Sequence, residues 1–192
     1  MTDRSRPAVR TLLILALALN VSVGLCDPSY VGASKCKACH IKQYKSWAET
    51  RMAQSFEVLK PGARAEEKKA AGLDPDADYT ADAECLPCHT TGYGEPGGFE
   101  SLAATPAMVG IQCESCHGAG SDYLAKDKMS LQNKEYDRSE LLAAGLVIPG
   151  EETCTSKCHN ERSPFAGEGY TFHFEERKTQ GTHEHIPLKY AH

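Results

Sequence analysis

Apolar positions recur at helical spacing only in short stretches of this chain. Ala48, Met52, Phe56 and Leu59 are separated by four, four and three residues, which predicts one helix from Ile41 to Lys60, stopped by Pro61-Gly62. Ala63 to Ala71 is a short charged helix ending at Gly72. Tyr123 to Gly145 returns to helical composition, with a helix start at Ser139-Glu140-Leu141-Leu142, and Phe174 to His185 reads as a last helix closed by Pro187. The intervening segments carry no period. They are an arm from Asp27 to Ser34, an acidic loop from Asp74 to Asp82, a glycine-rich stretch from Thr91 to Gly98, the turn Pro106 to Gly110, and the loop Ser163-Pro164-Phe165-Ala166-Gly167. The expected fold class is therefore mostly α, with long loops and little strand.

One continuously apolar run stands apart. Thr11 to Leu19 follows Arg4, Arg6 and Arg10 and precedes Gly24-Leu25-Cys26, the pattern of an export signal peptide over residues 1–26. Residues 27–192 then form a single domain in the periplasm or beyond. The apolar run is short for a membrane span, so membrane association requires an uncleaved signal or a lipid on Cys26, where Leu25 is a poor preceding residue.

The chain carries a net charge of −5 and only 7% aromatic residues. Loss of the basic leader makes it more acidic still. Such a balance excludes nucleic acid as a natural partner and favours a protein partner with a basic face. The low aromatic content leaves little side-chain material from which to build a core.

The cysteines change the picture. Eight of the nine fall into four pairs, each followed directly by histidine: Cys36, Cys39 and His40; Cys85, Cys88 and His89; Cys113, Cys116 and His117; and Cys154, Cys158 and His159. Three have the spacing C-x-x-C-H and the fourth has one extra residue between its thiols. This is the attachment signature of c-type haem, in which two thiols add to the porphyrin vinyl groups and the histidine ligates the iron. Zinc gives no reason for a histidine after every second cysteine; a disulfide is the alternative for Cys154 and Cys158. Four c-type haems supply the apolar surface that the side chains lack, making this a cofactor-organised tetrahaem cytochrome c fold.

The second axial position of each iron separates electron transfer from chemistry. His173, His183, His185 and His192 remain after the four proximal histidines, together with Met52, Met108 and Met129. On a continuous helix Met52 lies about 18 Å from His40 along the axis, so it either serves a neighbouring haem or packs as core. Met129 follows His117 by the same twelve residues that separate Met52 from His40, and has the same two readings. Met108 beside Pro106 reads as packing. His183 and His185 fall on different faces of a helix, and His183 is the favoured distal ligand, with a solvated histidine as its alternative. His173, between two phenylalanines, reads as a packing residue or a propionate partner; terminal His192 could reach an iron in another molecule.

With these motifs in place the chain resembles the tetrahaem cytochrome c-554 family from about Gly32 to Leu188. Lys35-Cys36, Ser46-Trp47, Leu59-Lys60-Pro61, Leu73-Asp74-Pro75, Asp78-Tyr79-Thr80, Gly110, Cys113 to Gly118, Tyr170-Thr171-Phe172 and His183-Glu184-His185 carry the resemblance. It implies a mostly helical monomer with haems in near-parallel and near-perpendicular pairs. It also implies a five-coordinate haem at Cys85, Cys88 and His89, lined by Ser163-Pro164-Phe165, and His183 as distal ligand of the haem at His117. Two positions depart from the family: Met52 stands where it has a histidine ligand for the fourth haem, and no histidine falls between Ala125 and Met129, where the ligand of the first is expected. Methionine ligation at these irons raises their potentials.

The function expected is one-electron shuttling between a donor oxidoreductase and an acceptor, either a cytochrome or a membrane quinone-linked complex, by a monomer or weak oligomer. Two rivals accompany it. One is nitric oxide reduction at the open haem, with Glu161 as the nearest candidate acid. The other is a subunit of an extracellular haem filament, with His173 or His192 ligating an iron in the next copy.

Overall fold

The computed structural model describes residues 27–166 and 170–188; the expected export signal, Cys26 and His192 lie outside the described residues. Eight short α-helices occur among these: α1 Ala33–Lys37, α2 Ile41–Ala48, α3 Ala65–Ala70, α4 Leu86–His89, α5 Cys113–His117, α6 Arg138–Ala143, α7 Glu151–Thr155 and α8 Phe174–Arg177. Two 3₁₀ turns, Ser55–Leu59 and Pro106–Met108, complete the regular structure. Among the described residues the sole β pairing is an isolated antiparallel bridge between Thr90 and Val109. Helices, turns and loops without strands are the expected fold class. No helix of the described residues is long and apolar enough to cross a membrane.

Three expected helices are shorter than the apolar spacing suggested. The helix from Ile41 stops at Ala48, because the Thr50 hydroxyl donates to the Trp47 carbonyl at 2.7 Å and accepts from the Ala53 N–H at 3.2 Å. Met52 therefore sits in a turn, and the 18 Å offset from His40 does not apply. Of the stretch from Tyr123 to Gly145 only α6 is helical, with the Asp137 carboxylate capping it through the Ser139 N–H at 2.7 Å. Residues before α6 turn instead, since Ser130 Oγ donates to the Lys126 carbonyl and Asn133 Nδ2 to the Asp127 carbonyl, local bonds that compete with a helix. The last helix spans Phe174–Arg177 alone; Gly181 at φ 78° turns the chain and residues 182–188 run irregularly.

The apolar core is small. Phe56, Leu59, Leu86, Phe99 and Met108 form a buried cluster in which the Phe56 and Phe99 ring centres are 5.7 Å apart. Beside it lies a buried polar clasp. Thr91 Oγ1 donates to the Gly110 carbonyl at 2.8 Å and accepts from the Gln112 N–H at 3.0 Å, and the Gly110 N–H donates to the His89 carbonyl at 3.0 Å. The N-terminal arm, extended as expected up to Gly32, threads across this clasp: the Tyr30 N–H donates to the Pro96 carbonyl and the Ala33 N–H to Gln112 Oε1.

Gly110 joins α4 to the rest of the clasp at φ 77°, where an added Cβ would stand 2.4 Å from the Ala53 carbonyl oxygen. Left-handed strain and that contact both oppose a side chain. Gly110→Ala is expected to cost roughly 2–3 kcal/mol, read as a lower melting temperature of the haem-loaded protein at unchanged haem content.

Candidate functional site

Each Cys-Cys-His motif folds as one turn of helix, which is what brings two thiols and an imidazole to the same side of the chain. His40 closes its turn by donating its N–H to the Cys36 carbonyl at 2.9 Å. The fourth motif absorbs its extra residue in a wider turn. There the His159 N–H reaches five residues back to the Cys154 carbonyl at 3.0 Å, and the Cys158 N–H reaches the same oxygen at 3.3 Å.

The motifs come together in alternation along the chain. Helix α1 packs against α5 and the Cys36 and Cys113 thiols act on each other, pairing the first motif with the third. The Cys88 and Cys158 thiols are hydrogen-bonded, pairing the second with the fourth, and Cys88 Sγ also reaches the Lys157 carbonyl at 3.4 Å. Contact with the Cys158 thiol pulls Cys88 down to about 7. Burial and then the Cys154 charge push Cys116 up to about 11, which places the third motif beside the fourth and links the two pairs.

Burial holds His40, His89, His117 and His159 below the usual imidazole range, keeping the neutral ring that a metal requires. Three of the rings are fixed from behind: His89 Nδ1 donates to the Ser55 carbonyl at 2.6 Å and His117 Nδ1 to the Val147 carbonyl at 3.1 Å, while His159 Nδ1 lies 3.3 Å from the Tyr170 hydroxyl. This sets Nε2 as the free ligating atom in each. Sequence reasoning missed Ser55 and Val147, because a backbone carbonyl has no residue signature; Tyr170 was noted only for its resemblance. His159 also stacks on Phe172, with ring centres 4.2 Å apart.

His183 reaches the third motif from the far end of the chain. The Glu184 N–H donates to Ser46 Oγ at 2.7 Å and Gln43 Nε2 to the Ile186 carbonyl at 3.4 Å, so α2 carries this segment. The His183 and His117 ring centres lie 6.3 Å apart with 27° between the planes. Two metal–nitrogen bonds account for about 4 Å of such a span, and the two ring radii fill the rest. The separation fits a metal held between the imidazoles. The charge of His183 also acts on His40, and His185 stands 5.6 Å from His183.

A cavity of about 1080 Å³ is lined by residues of both the second and the fourth motifs. His89, His159, Met52, His173 and Phe165 line it, with Cys85, Cys88, Cys154 and Cys158 on its walls. Single-ligand pockets run to about 1,000 Å³, so this one has room on the scale of porphyrins. Its lining includes Arg51, Arg64, Lys68, Arg162 and Arg177 as well as Glu67, Asp82, Glu84 and Glu95, so cations that suit propionates stand there beside acids. Ser55 Oγ, also on this wall, is buried with no hydrogen-bond partner. The residues present thus fit c-type haem by thiol pairs, neutral imidazoles and a cavity of sufficient size.

Met129 does not line this cavity; its N–H donates to the Tyr123 carbonyl at 3.3 Å. Met108 is buried in the apolar cluster, the packing role expected for it.

Comparison with known proteins agrees with this arrangement. The family described as cytochrome c554 and c-prime matches residues 35–118. Cytochrome c-554 of Nitrosomonas europaea is 36% identical over 185 residues, covering 85% of this chain and 78% of the relative. The solved structure of reduced cytochrome c554 from the same organism superposes with a TM-score of 0.72 at 33% identity, covering 85% of this chain and 89% of that one. The chain therefore belongs to the cytochrome c-554 family, multihaem c-type electron-transfer proteins whose members bind four c-type haems.

Proposed function

We propose that this chain is an exported tetrahaem carrier that takes single electrons from a donor oxidoreductase and delivers them to an acceptor cytochrome or a membrane quinone-linked complex. The observation that carries the reading is the His117–His183 pair, 6.3 Å apart and nearly parallel. Residues 1–26 direct export to the periplasm and residues 27–192 form the tetrahaem domain.

Each residue type has a task in this reading. Cys36 and Cys39, Cys85 and Cys88, Cys113 and Cys116, and Cys154 and Cys158 anchor the porphyrins by thioethers and so fix their orientation. His40, His89, His117 and His159 are the proximal ligands, and the Ser55 and Val147 carbonyls orient two of them. His183 is the distal ligand opposite His117. Met52, lining the cavity of the second and fourth motifs, is the candidate methionine ligand there, and Met129 is the candidate for the first haem. When bound, the haems supply one-electron redox chemistry at potentials set by axial ligand and burial. The contacts Cys36–Cys113 and Cys88–Cys158 keep attachment points of paired haems adjacent, as rapid transfer between them requires.

Mass spectrometry of the mature protein is expected to give the chain plus four haems, and coulometric reduction to take up four electrons per chain. A three-haem mass would remove the assignment at Cys154 and Cys158; fewer electrons than haems would remove the carrier role.

A second reading, nitric oxide chemistry at the haem of His89, is favoured by Ser163, Pro164 and Phe165 lining the same cavity as His89. Carbon monoxide binding by one haem in four of the reduced protein supports an open iron; no binding rejects it.

A further inference from the structure

Glu114 lies inside the third attachment motif, between Cys113 and Cys116, and is 0% exposed. Its Oε1 accepts from the Val31 N–H at 3.0 Å and the Gly120 N–H at 2.7 Å; its Oε2 accepts from the Gly32 N–H at 2.7 Å and the Val31 N–H at 3.2 Å. Every one of these partners is a backbone donor, the set that suits a carboxylate. Gly120 is what lets the chain come so close, since a Cβ there would stand 2.8 Å from Oε1. Among the described residues no lysine, arginine or histidine forms an ion pair with Glu114. A buried negative charge is thus held by dipoles alone, without a countercharge.

The field of this charge reaches its surroundings. Burial first and Glu114 second raise the Tyr123 phenol, and the thiol of Cys36, already raised by Cys113 and by burial, is pushed further the same way. No other motif encloses a carboxylate: the residues between the paired cysteines are Lys37-Ala38, Leu86-Pro87 and Thr155-Ser156-Lys157. Lys157 acts on Cys116 and Cys158 with the opposite sign.

We propose that Glu114 is a redox-positioning residue whose uncompensated buried charge lowers the reduction potential of the haem held by Cys113, Cys116 and His117, and to a smaller extent that of its neighbour at Cys36 and Cys39. The inference rests on the haem-attachment reading above. Ferric haem carries one more positive charge than ferrous haem, so a nearby carboxylate in a poorly polarisable interior favours the oxidised state. Reduction adds one electron, supplied by the titrant, and no covalent bond is made or broken. The same carboxylate ties the N-terminal arm to the third motif, so it holds the geometry of the first and third haems while it sets their potential.

The test is an optical spectroelectrochemical titration of the four-haem holoprotein and its Glu114→Gln and Glu114→Asp variants, with haem content measured first. In Glu114→Gln the wave of the third haem is expected to move upward by roughly tenfold in the reduction constant, about 59 mV for a one-electron couple, and that of the first haem upward by less. Glu114→Asp keeps the charge and is expected to stay within about threefold of the parent. Four haems with unmoved waves in Glu114→Gln, or equal shifts in the two variants, would overturn the proposal. If Glu114→Gln does not load its haems, redox-difference infrared spectroscopy of the parent holoprotein with isotope-labelled glutamate decides. An ionised carboxylate band that shifts as the third haem is reduced supports the proposal, and a protonated carboxyl band in its place rejects it. A parent chain without haem on the Cys113 and Cys116 peptide refutes the attachment reading instead, and mass spectrometry reads that separately.

Discussion

Replacing His183 with alanine is expected to raise by one the number of haems per chain that bind carbon monoxide after reduction. The imidazole stands 6.3 Å from that of His117, the spacing of two ligands on one metal, and deleting the ring removes that second imidazole. The supporting segment survives the change, because it is pinned to α2 by the Glu184 N–H on Ser46 Oγ and by Gln43 on the Ile186 carbonyl, neither of which involves the His183 side chain. A ligand is lost without loss of the fold. The potential of that haem should rise as well, since a basic imidazole stabilises the ferric state. His185, 5.6 Å from His183, is a neighbour able to swing in as a substitute. The double variant His183→Ala/His185→Ala therefore accompanies the single one. An unchanged carbon monoxide count in both would remove His183 from the ligand set.

The largest effect is expected from serine at all eight motif cysteines. Only eight apolar side chains are buried among the described residues, from Ala33 to Leu141, which is too little to organise a chain of this length. The helices cannot compensate: the longest, α2, has eight residues, below the roughly 12–15 at which an isolated helix becomes even marginal in water. Ile41, Leu142, Ile148 and Phe165 are about half exposed in the protein part alone. Each thioether also holds its cofactor at a fixed place in the chain, so losing them removes the cross-links along with the apolar filling. The expected outcome in circular dichroism is no cooperative thermal transition, whereas the haem-loaded parent melts cooperatively. A cooperative melt of the cysteine-free chain would show that the polypeptide carries its own core.

The sequence was most informative where covalent chemistry imposes a spacing. Thiols separated by two residues and followed by histidine admit few explanations, and the structure folds each such motif as a turn. The helix lengths were less legible. Apolar period alone extended α2 through Met52 to Lys60, but one hydroxyl at Thr50 satisfies the end of the helix and turns the chain. In the same way Ser130 and Asn133 replace a helix before α6 with local side-chain bonds. Composition does not register such competition. Glu114 was invisible as a functional residue for another reason: an acid on a one-turn helix reads as surface, and only the arrival of Val31, Gly32 and Gly120 buries it. The placement of His183 beside His117, by contrast, is what the resemblance to the cytochrome c-554 family implies.

The order of pairing carries a consequence for how such a protein is made and how it can change. First joins third and second joins fourth, so any cut between the second and third motifs separates both partnerships at once. No prefix of the chain up to Gly110 contains a completed pair, and the third motif receives His183 only after the fourth motif has emerged. Neither partnership can therefore close before the third motif is in place. Truncation between the second and third motifs leaves two haem motifs on each side, and neither half keeps a partnership.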